Sequence, residues 1–167
     1  MSPPLNPGVL FGMDFVPERL GYGKEGRKSM GTLEMLSEEE CWALVAAHSV
    51  GRIVFVDRSG QPMAIPVNYV LDGTTVAFRS DPGKKLDAST MARVSFEIDG
   101  TDTFYREGWS VLVSGVGRDI TDGVDAWSER LKGHDLFPWA DGGMEHWVAI
   151  ASPSISGRRI QHSVPVG

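Results

Sequence analysis

Apolar positions recur with a helical spacing shortly after residue 36. Between residues 41 and 48 they stand at positions i, i+3, i+4 and i+7, which is the spacing of one buried helix face. Ser37 is a favoured N-cap residue, and Glu40 follows three positions later in the pattern of a capping box. The sequence therefore predicts a helix that follows Ser37 and ends before Gly51, with His48 as a buried, hydrogen-bonded histidine on its inner face.

From residue 51 onward the pattern changes to short β-branched and aromatic runs separated by turn residues. The segment 57–60 and the dipeptide Asp72-Gly73 have turn composition, so each predicts a hairpin. Pro62 and Pro66 favour strand ends, bulges or an edge. Strands are predicted at about 52–56, 61–70, 75–79, 93–99, 109–118 and 145–152, and helices at 84–91 and 122–131.

The order of these elements decides between fold classes. Strands follow one another through hairpin turns, and few helices interrupt them, which favours an antiparallel barrel over alternating strand and helix units. The spacing GxGxxG occurs only at residues 21–26, where no predicted strand precedes it, and GxxxxGK[ST] is absent, so neither of the usual dinucleotide and triphosphate loops is predicted. We predict a mainly β (α+β) fold, a six-stranded antiparallel barrel flanked by short helices.

The pattern divides the chain into two parts. Residues 1–31 are rich in proline and glycine and keep no period of two or of 3.6, which predicts an extended or mobile N-terminal arm. Residues 32–167 form the predicted barrel domain. After the last predicted strand, Gly157-Arg158-Arg159-Ile160 is expected in an exposed tail.

Composition and charge indicate the cellular compartment and the classes of partner that we expect. The formal net charge is -6, which disfavours a nucleic acid. A single cysteine, Cys41, excludes an intrachain disulfide, and the four histidines show no zinc-ligand spacing. No apolar run approaches the roughly 20 residues that a membrane helix needs. We expect a cytoplasmic protein that binds a small molecule and neither spans a membrane nor binds nucleic acid.

The largest local group of candidate binding residues lies at and just after the end of the strand predicted at 75–79. Arg79, Ser80, Lys84 and Lys85 fall within seven residues, and three cations with a hydroxyl suit a phosphate group. The alternative is that the lysines only solubilise a short helix. A cation near a helix start is mildly unfavourable, so the placement favours a binding role, and flavin mononucleotide (FMN) is the ligand that we expect.

Six motifs, in this order along residues 36–160, resemble the FMN-binding split-barrel family of pyridoxamine phosphate oxidase-like proteins, in its small actinobacterial branch. None of them is specific alone, and the resemblance rests on their order and spacing. The motifs are Val50-Gly51-Arg52-Ile53, Ile65-Pro66-Val67-Asn68-Tyr69, Phe78-Arg79-Ser80 with Gly83-Lys84-Lys85-Leu86, Gly108-Trp109-Ser110-Val111, Pro138-Trp139-Ala140 and Gly157-Arg158-Arg159-Ile160.

The resemblance implies a homodimeric split barrel with flavin sites built across the dimer interface. Val67, Asn68 and Tyr69 would then face the flavin ring. The phosphate would contact Arg79, Ser80, Lys84 and Lys85. The site would be closed, partly from the other subunit, by Trp109, Ser110 and Val111. The ring edge would be approached by Trp139 and Arg158.

The resemblance also implies the activity, a flavin-dependent oxidoreductase or reductase that acts on a small organic substrate. The long basic C-terminal substrate motif of pyridoxamine phosphate oxidase itself is missing, which argues against vitamin B6 as the substrate. A noncatalytic carrier or sensor of flavin, deazaflavin or haem on the same barrel is the alternative. The sequence identifies no catalytic residue and no metal site.

Overall fold

The computed structural model describes residues 31–80, 93–136 and 145–162, which form seven strands and two helices. The expected N-terminal arm, except for Gly31, and the expected helix at 84–91 lie outside these residues and stay predictions. In chain order the elements are β1 (Thr32–Leu36), α1 (Glu38–Ala46), β2 (Val50–Val56), β3 (Pro62–Asp72), β4 (Thr75–Ser80), β5 (Arg93–Asp102), β6 (Glu107–Asp119), α2 (Ala126–Lys132) and β7 (His146–Gln161).

Six of the strands close into an antiparallel barrel in the order β7-β4-β3-β2-β5-β6, because β6 also pairs with β7. The predicted hairpins β2–β3 and β3–β4 are both formed. This arrangement confirms the mainly β fold class with its six-stranded barrel and flanking helices. Pro62 begins β3, as expected, and Pro66 lies inside β3 opposite Arg52, on the stretch that pairs with β2 and not with β4.

The prediction was wrong about the C-terminal segment, since residues 153–161 continue β7 and are not an exposed tail. β7 pairs with most of β6, from Asp119 opposite Val148 to Gly108 opposite Ile160, with one register shift between Ser114 and Val116. The long partner strand supplies hydrogen-bond partners that the polar, glycine-containing sequence of this segment does not reveal.

The short strand β1 was also missed. It pairs with the last five residues of β7, from Thr32 opposite Gln161 to Leu36 opposite Gly157. Only Leu36 is buried in β1, so the strand lacks the alternation of buried and exposed side chains that a sequence pattern detects. β1 and β4 thus occupy successive stretches of one edge of β7.

The first helix begins with the expected capping box. The Glu40 carboxylate accepts from the backbone N–H of Ser37 at 2.9 Å, and the Ser37 hydroxyl accepts from the backbone N–H of Glu40 at 3.3 Å. The Ser37 hydroxyl also donates to the Glu40 carboxylate at 2.9 Å, and the two hydrogen bonds that this carboxylate accepts from Ser37 lower the pKa of Glu40. His48 lies beyond the helix end and is exposed, with its Nδ1 2.8 Å from the Leu44 carbonyl oxygen. The expected hydrogen bond is confirmed and the expected burial of His48 is wrong.

The second helix begins later than residue 122, the predicted start. Asp125 is its N-cap, and the Asp125 carboxylate accepts from the backbone N–H groups of Trp127 and Ser128. The Ser128 hydroxyl donates to the same carboxylate at 2.6 Å, and the hydrogen bonds from Ser128 lower the pKa of Asp125. A turn at residues 121–122 precedes the cap, and the Gly123 N–H donates to the Ile120 carbonyl across it at 3.1 Å.

Side chains pack on both sides of the sheet. One cluster fills the barrel and includes Ile53, Phe78 and Phe96, which are all fully buried. A smaller cluster lies outside the barrel, where α2 covers β4 and β7. Its buried members are Ala77, Ile120, Leu131 and Ala149, with Val70, Trp127 and Trp147 packed against them. No helix in the described ranges is long and apolar enough to cross a membrane.

Candidate functional site

The end of β4 carries the first two expected phosphate ligands. Alternation along β4 places Arg79 on the outer face with Ala77, and Ser80 on the inner side with Phe78. Ser80 is fully buried. The two side chains therefore leave the strand in opposite directions, and one ligand reaches both only if it lies beyond the strand end, where residues 81–85 follow.

Arg79 has an unusual environment. Its cross-strand partner is Trp147 of β7, and the guanidinium carbon of Arg79 lies 5.9 Å from the centroid of the Trp147 ring. The Nε atom of Arg79 is buried and has no hydrogen-bond partner. A buried donor without an acceptor is costly, so this atom fits an anionic group that binds beside it.

A second unpartnered nitrogen lies on the next cross-strand pair, in which His146 stands opposite Ser80. The Nδ1 atom of His146 is buried without a hydrogen-bond partner and lies 3.7 Å from a carboxylate oxygen of Asp119. That distance is too long for a hydrogen bond. His146 thus adds a polar group beside Ser80, on the inner side of β4.

On β3, the side chains expected at the flavin ring divide between the two faces of the sheet. Val67 is 6% and Tyr69 is 3% exposed, and both belong to the barrel core. Asn68 lies between them, so its half-buried side chain is on the outer face. A ligand on that face meets Asn68 and only the backbone of the other two residues.

Trp109 lies at the barrel mouth that α1 covers. Its ring centroid is 4.9 Å from that of His48. A Cβ atom on Gly100 would stand 2.7 Å from the Trp109 ring, so the absence of a side chain there makes room for the indole. Trp109, His48 and Arg159 line a cavity of about 410 Å³ together with residues of the β5–β6 hairpin.

Ser110 and Val111 follow Trp109 on β6 and point to opposite sides of the sheet. Val111 is 1% exposed and packs in the core, whereas Ser110 stands opposite Arg158 of β7 on the outer face. Both residues line an open groove of about 480 Å³, to which Leu33, Met35 and Glu97 also contribute. The expected residues Ser110 and Arg158 are therefore neighbours, and Trp109 lies apart from them at the mouth.

Lys84, Lys85 and Trp139 fall outside the described residues, so their assignments stay predictions. Among the described residues no group of three metal-ligating side chains comes together. Burial, and then the charges of Glu40 and Glu38, raise the pKa of the Cys41 thiol, which opposes a nucleophilic role. The described residues thus offer neither a cluster of metal ligands nor an activated thiol.

Sequence reasoning missed the contact between Trp147 and Arg79. Trp147 alternates with Ala149 and Ala151, and this pattern favours packing on a strand. The packing is confirmed, since Trp147 lies against the outer cluster. Trp147 and Arg79 are 68 positions apart in the sequence. No local pattern shows that two such distant residues pair, because tertiary structure sets the register between distant strands.

The sequence pattern of the pyridoxamine 5'-phosphate oxidase family matches residues 37–159, most of the barrel. The chain belongs to this family. An uncharacterised protein of Mycobacterium tuberculosis is 33% identical over 132 residues, which cover 75% of this chain and 84% of that protein. The family membership predicted from the motifs is confirmed.

Two solved structures resemble this member of the family. The FAD-binding protein of Mycobacterium smegmatis is 34% identical, with a TM-score of 0.62 over 76% of this chain and 97% of that chain. A FAD-binding protein of Mesorhizobium loti is 25% identical, with a TM-score of 0.58 over 76% of this chain and 97% of that chain. The shared barrel is the split-barrel fold.

Proposed function

We propose that this chain binds a flavin nucleotide, with its phosphate held at the end of β4 by Arg79, Ser80, Lys84 and Lys85. The observation that carries the proposal is the buried Nε of Arg79, which has no hydrogen-bond partner and lies just before the two lysines in the sequence. A phosphate monoester would accept from this donor and would neutralise the local positive charge.

The relatives support the class of ligand. FMN is the flavin that we propose, because its terminal phosphate matches a small cluster of cations. The solved relatives named above are FAD-binding proteins, and FAD carries the same flavin and ribityl phosphate. FAD is therefore the competing ligand that the binding experiment must include, together with a deazaflavin and haem.

A bound flavin would supply hydride or electron transfer, and we propose an oxidoreductase or reductase that acts on a small organic substrate. The chain would bind the cofactor, orient it and exclude water. The backbone of Val67 and Tyr69 and the side chain of Asn68 would line the ring. Trp109, Ser110, Val111, Trp139 and Arg158 would complete the site, partly from a second subunit.

The test begins with the visible spectrum and continues with titrations of FMN and riboflavin, which lacks the phosphate. The wild-type protein should bind FMN more tightly. Arg79→Met, and separately the pair Lys84→Ala with Lys85→Ala, should each weaken FMN binding by roughly tenfold to a hundredfold. Arg58→Met is the matched control, since Arg58 lies in the exposed β2–β3 turn. Equal affinities for FMN and riboflavin in the wild-type protein would contradict the phosphate site.

Reduction of the loaded protein separates an enzyme from a carrier. Bleaching of the flavin band by a reduced nicotinamide, followed by reoxidation with a small acceptor, would support the oxidoreductase. A flavin that stays bound and that no donor reduces would favour a carrier or sensor. A retained haem or deazaflavin in place of flavin would replace the proposed cofactor.

We also propose a homodimer, formed through the outer face of β1, β7 and β6. The large apolar side chains on this face are exposed to solvent: the exposed fraction is 58% for Leu33, 70% for Met35, 41% for Leu112 and 44% for Ile160. Arg158 and Glu97 lie in the same groove. Under a twofold axis a face meets its own copy, so the apolar side chains would be buried between subunits, and Arg158 could join the ion pair that Glu97 makes with Arg52 at 3.0 Å.

Sedimentation at several protein concentrations tests the dimer. Met35→Glu with Leu112→Glu should shift the protein toward monomer, because the substitutions would bury like charges at the interface. Val124→Glu is the control, because Val124 is 89% exposed in the loop before α2. A wild-type monomer at all concentrations would refute the dimer, whereas a dimer unchanged by the double variant would refute only the chosen face.

A further inference from the structure

Trp147 and Arg79 face each other across two paired strands on the outer side of the barrel. They are direct partners in the β4–β7 register, and the guanidinium carbon of Arg79 lies 5.9 Å from the centroid of the indole. This separation is within the range of a cation–π contact. The aromatic ring therefore restricts where the cation can lie.

Trp147 is itself held firmly. Its backbone N–H donates to the Thr121 hydroxyl and its carbonyl accepts from the Ile120 N–H, each at 2.9 Å. Its ring packs against the outer cluster that α2 covers, in which Leu131 and Ala149 are fully buried. These contacts come from the segment after β6, from α2 and from β7, so the indole is a rigid support for its neighbour.

Arg79 lacks the partners that would otherwise fix its orientation. Its Nε is buried and has no hydrogen-bond partner, and no ion pair of Arg79 occurs among the described residues. The indole supplies no acceptor, so it can orient the guanidinium without satisfying it. The donors stay available for an anion.

We infer that Trp147 is a positioning residue that holds the guanidinium of Arg79 in place for the phosphate of the flavin nucleotide. This inference rests on the proposed function. It assigns a binding role to a tryptophan whose sequence pattern favours packing. A planar cation held beforehand loses less side-chain freedom when the phosphate binds, which strengthens binding of the phosphate without a contact between Trp147 and the ligand.

The test compares the affinities for FMN and for riboflavin, because a positioning role acts only through the phosphate. Trp147→Leu removes the ring, and Trp147→Phe keeps a weaker one. We expect Trp147→Leu to lower FMN affinity by about threefold to thirtyfold, with Trp147→Phe between it and wild type. Riboflavin affinity should stay within about twofold in both variants, since riboflavin makes no phosphate contact.

Trp127→Leu is the matched control, because Trp127 packs against the same cluster from α2. Trp127→Leu should weaken the packing of the outer cluster without changing the ratio of the FMN affinity to the riboflavin affinity. In the Arg79→Met background, Trp147→Leu should have no further effect on FMN binding, because the cation that it positions is gone. Trp147→Phe gives the same comparison should Trp147→Leu fail to fold.

The outcomes separate this inference from the proposed function. If Arg79→Met lowers the FMN-to-riboflavin ratio and both Trp147 variants leave it at the wild-type value, the positioning role is wrong and the phosphate site stands. If Trp127→Leu lowers the ratio as much as Trp147→Leu, general packing explains the effect and the positioning role is wrong. If the wild-type protein does not prefer FMN, both the phosphate site and the positioning role fall.

Discussion

The hydroxyl of Tyr69 in β3 donates a 2.6 Å hydrogen bond to the backbone carbonyl of Val45 in α1. That carbonyl is in the last turn of the helix, where no N–H of a following turn is available. The Tyr69 ring also meets Phe96 of β5 edge to face, with centroids 4.7 Å apart. The Tyr69 side chain thus connects the C-terminal end of α1 to strands β3 and β5 of the barrel.

Tyr69→Phe should lower the free energy of unfolding by about 1–3 kcal/mol, because it leaves the Val45 carbonyl buried without its partner. Urea denaturation at one fixed protein concentration measures the change. Flavin affinity should stay within a factor of about two, since the hydroxyl points into the barrel and away from the outer face. A large loss of flavin affinity with unchanged stability would mean that the Tyr69 side chain contacts the ligand.

Alkaline pH should destabilise the wild-type protein through the same residue. Burial raises the pKa of Tyr69 from 10.0 to about 12. The unfolded chain then loses this proton near pH 10 and the folded chain only near pH 12, so stability is retained below pH 10 and falls between the two values. The loss approaches about 3 kcal/mol. Denaturation from pH 9 to pH 11.5 measures it.

Tyr69→Phe is the comparison for this pH effect, since it removes the ionisable group and keeps the ring. The wild-type protein should lose more stability than the variant as the pH rises from 10 to 11.5. Parallel curves for the two proteins would mean that Tyr69 ionises in the folded state as readily as in the unfolded chain.

α1 and β7 approach each other so closely at Gly157 that the position has no room for a side chain. A Cβ atom there would stand 2.6 Å from the Cys41 sulfur, 3.1 Å from a methyl of Leu36 and 3.2 Å from the Ser110 carbonyl oxygen. Gly157→Ala should destabilise by about 1–3 kcal/mol through overpacking.

Cys41→Ala removes the closest of these atoms and should relieve part of that cost. The double variant should therefore be more stable than the sum of the two single effects predicts, by about 0.5 kcal/mol or more. Additive effects in a denaturation cycle would show that the Leu36 methyl and the Ser110 carbonyl oxygen, and not the thiol, limit the space.

The sequence predicted those elements whose side chains carry a local signal. The capping box at Ser37 and the turn at Asp72-Gly73 are both local features, and the structure contains both. The continuation of β7 past residue 152 and the strand β1 depend on partners far away in the sequence. Local composition cannot reveal such partners, because pairing energy comes from neighbouring strands.

The candidate site was predictable only in part, for a related reason. A motif names consecutive residues, but consecutive strand residues point to opposite faces. Val67 and Tyr69 therefore lie in the core beside the half-buried Asn68, and Trp109 and Ser110 lie in different places. Which face of each strand a ligand can reach depends on how the strands pair in the closed barrel.

The outer cluster under α2 should make its own contribution to stability, and Leu131 is its largest fully buried member. Leu131→Ala should lower the free energy of unfolding by about 2–4 kcal/mol, because it removes buried apolar surface and leaves a cavity. Val124→Ala, at a position that is 89% exposed, should change it by less than about 0.5 kcal/mol. Urea denaturation of the two variants gives this difference. A small effect of Leu131→Ala would mean that α2 detaches from the barrel at little cost, and Trp147 would then need another support.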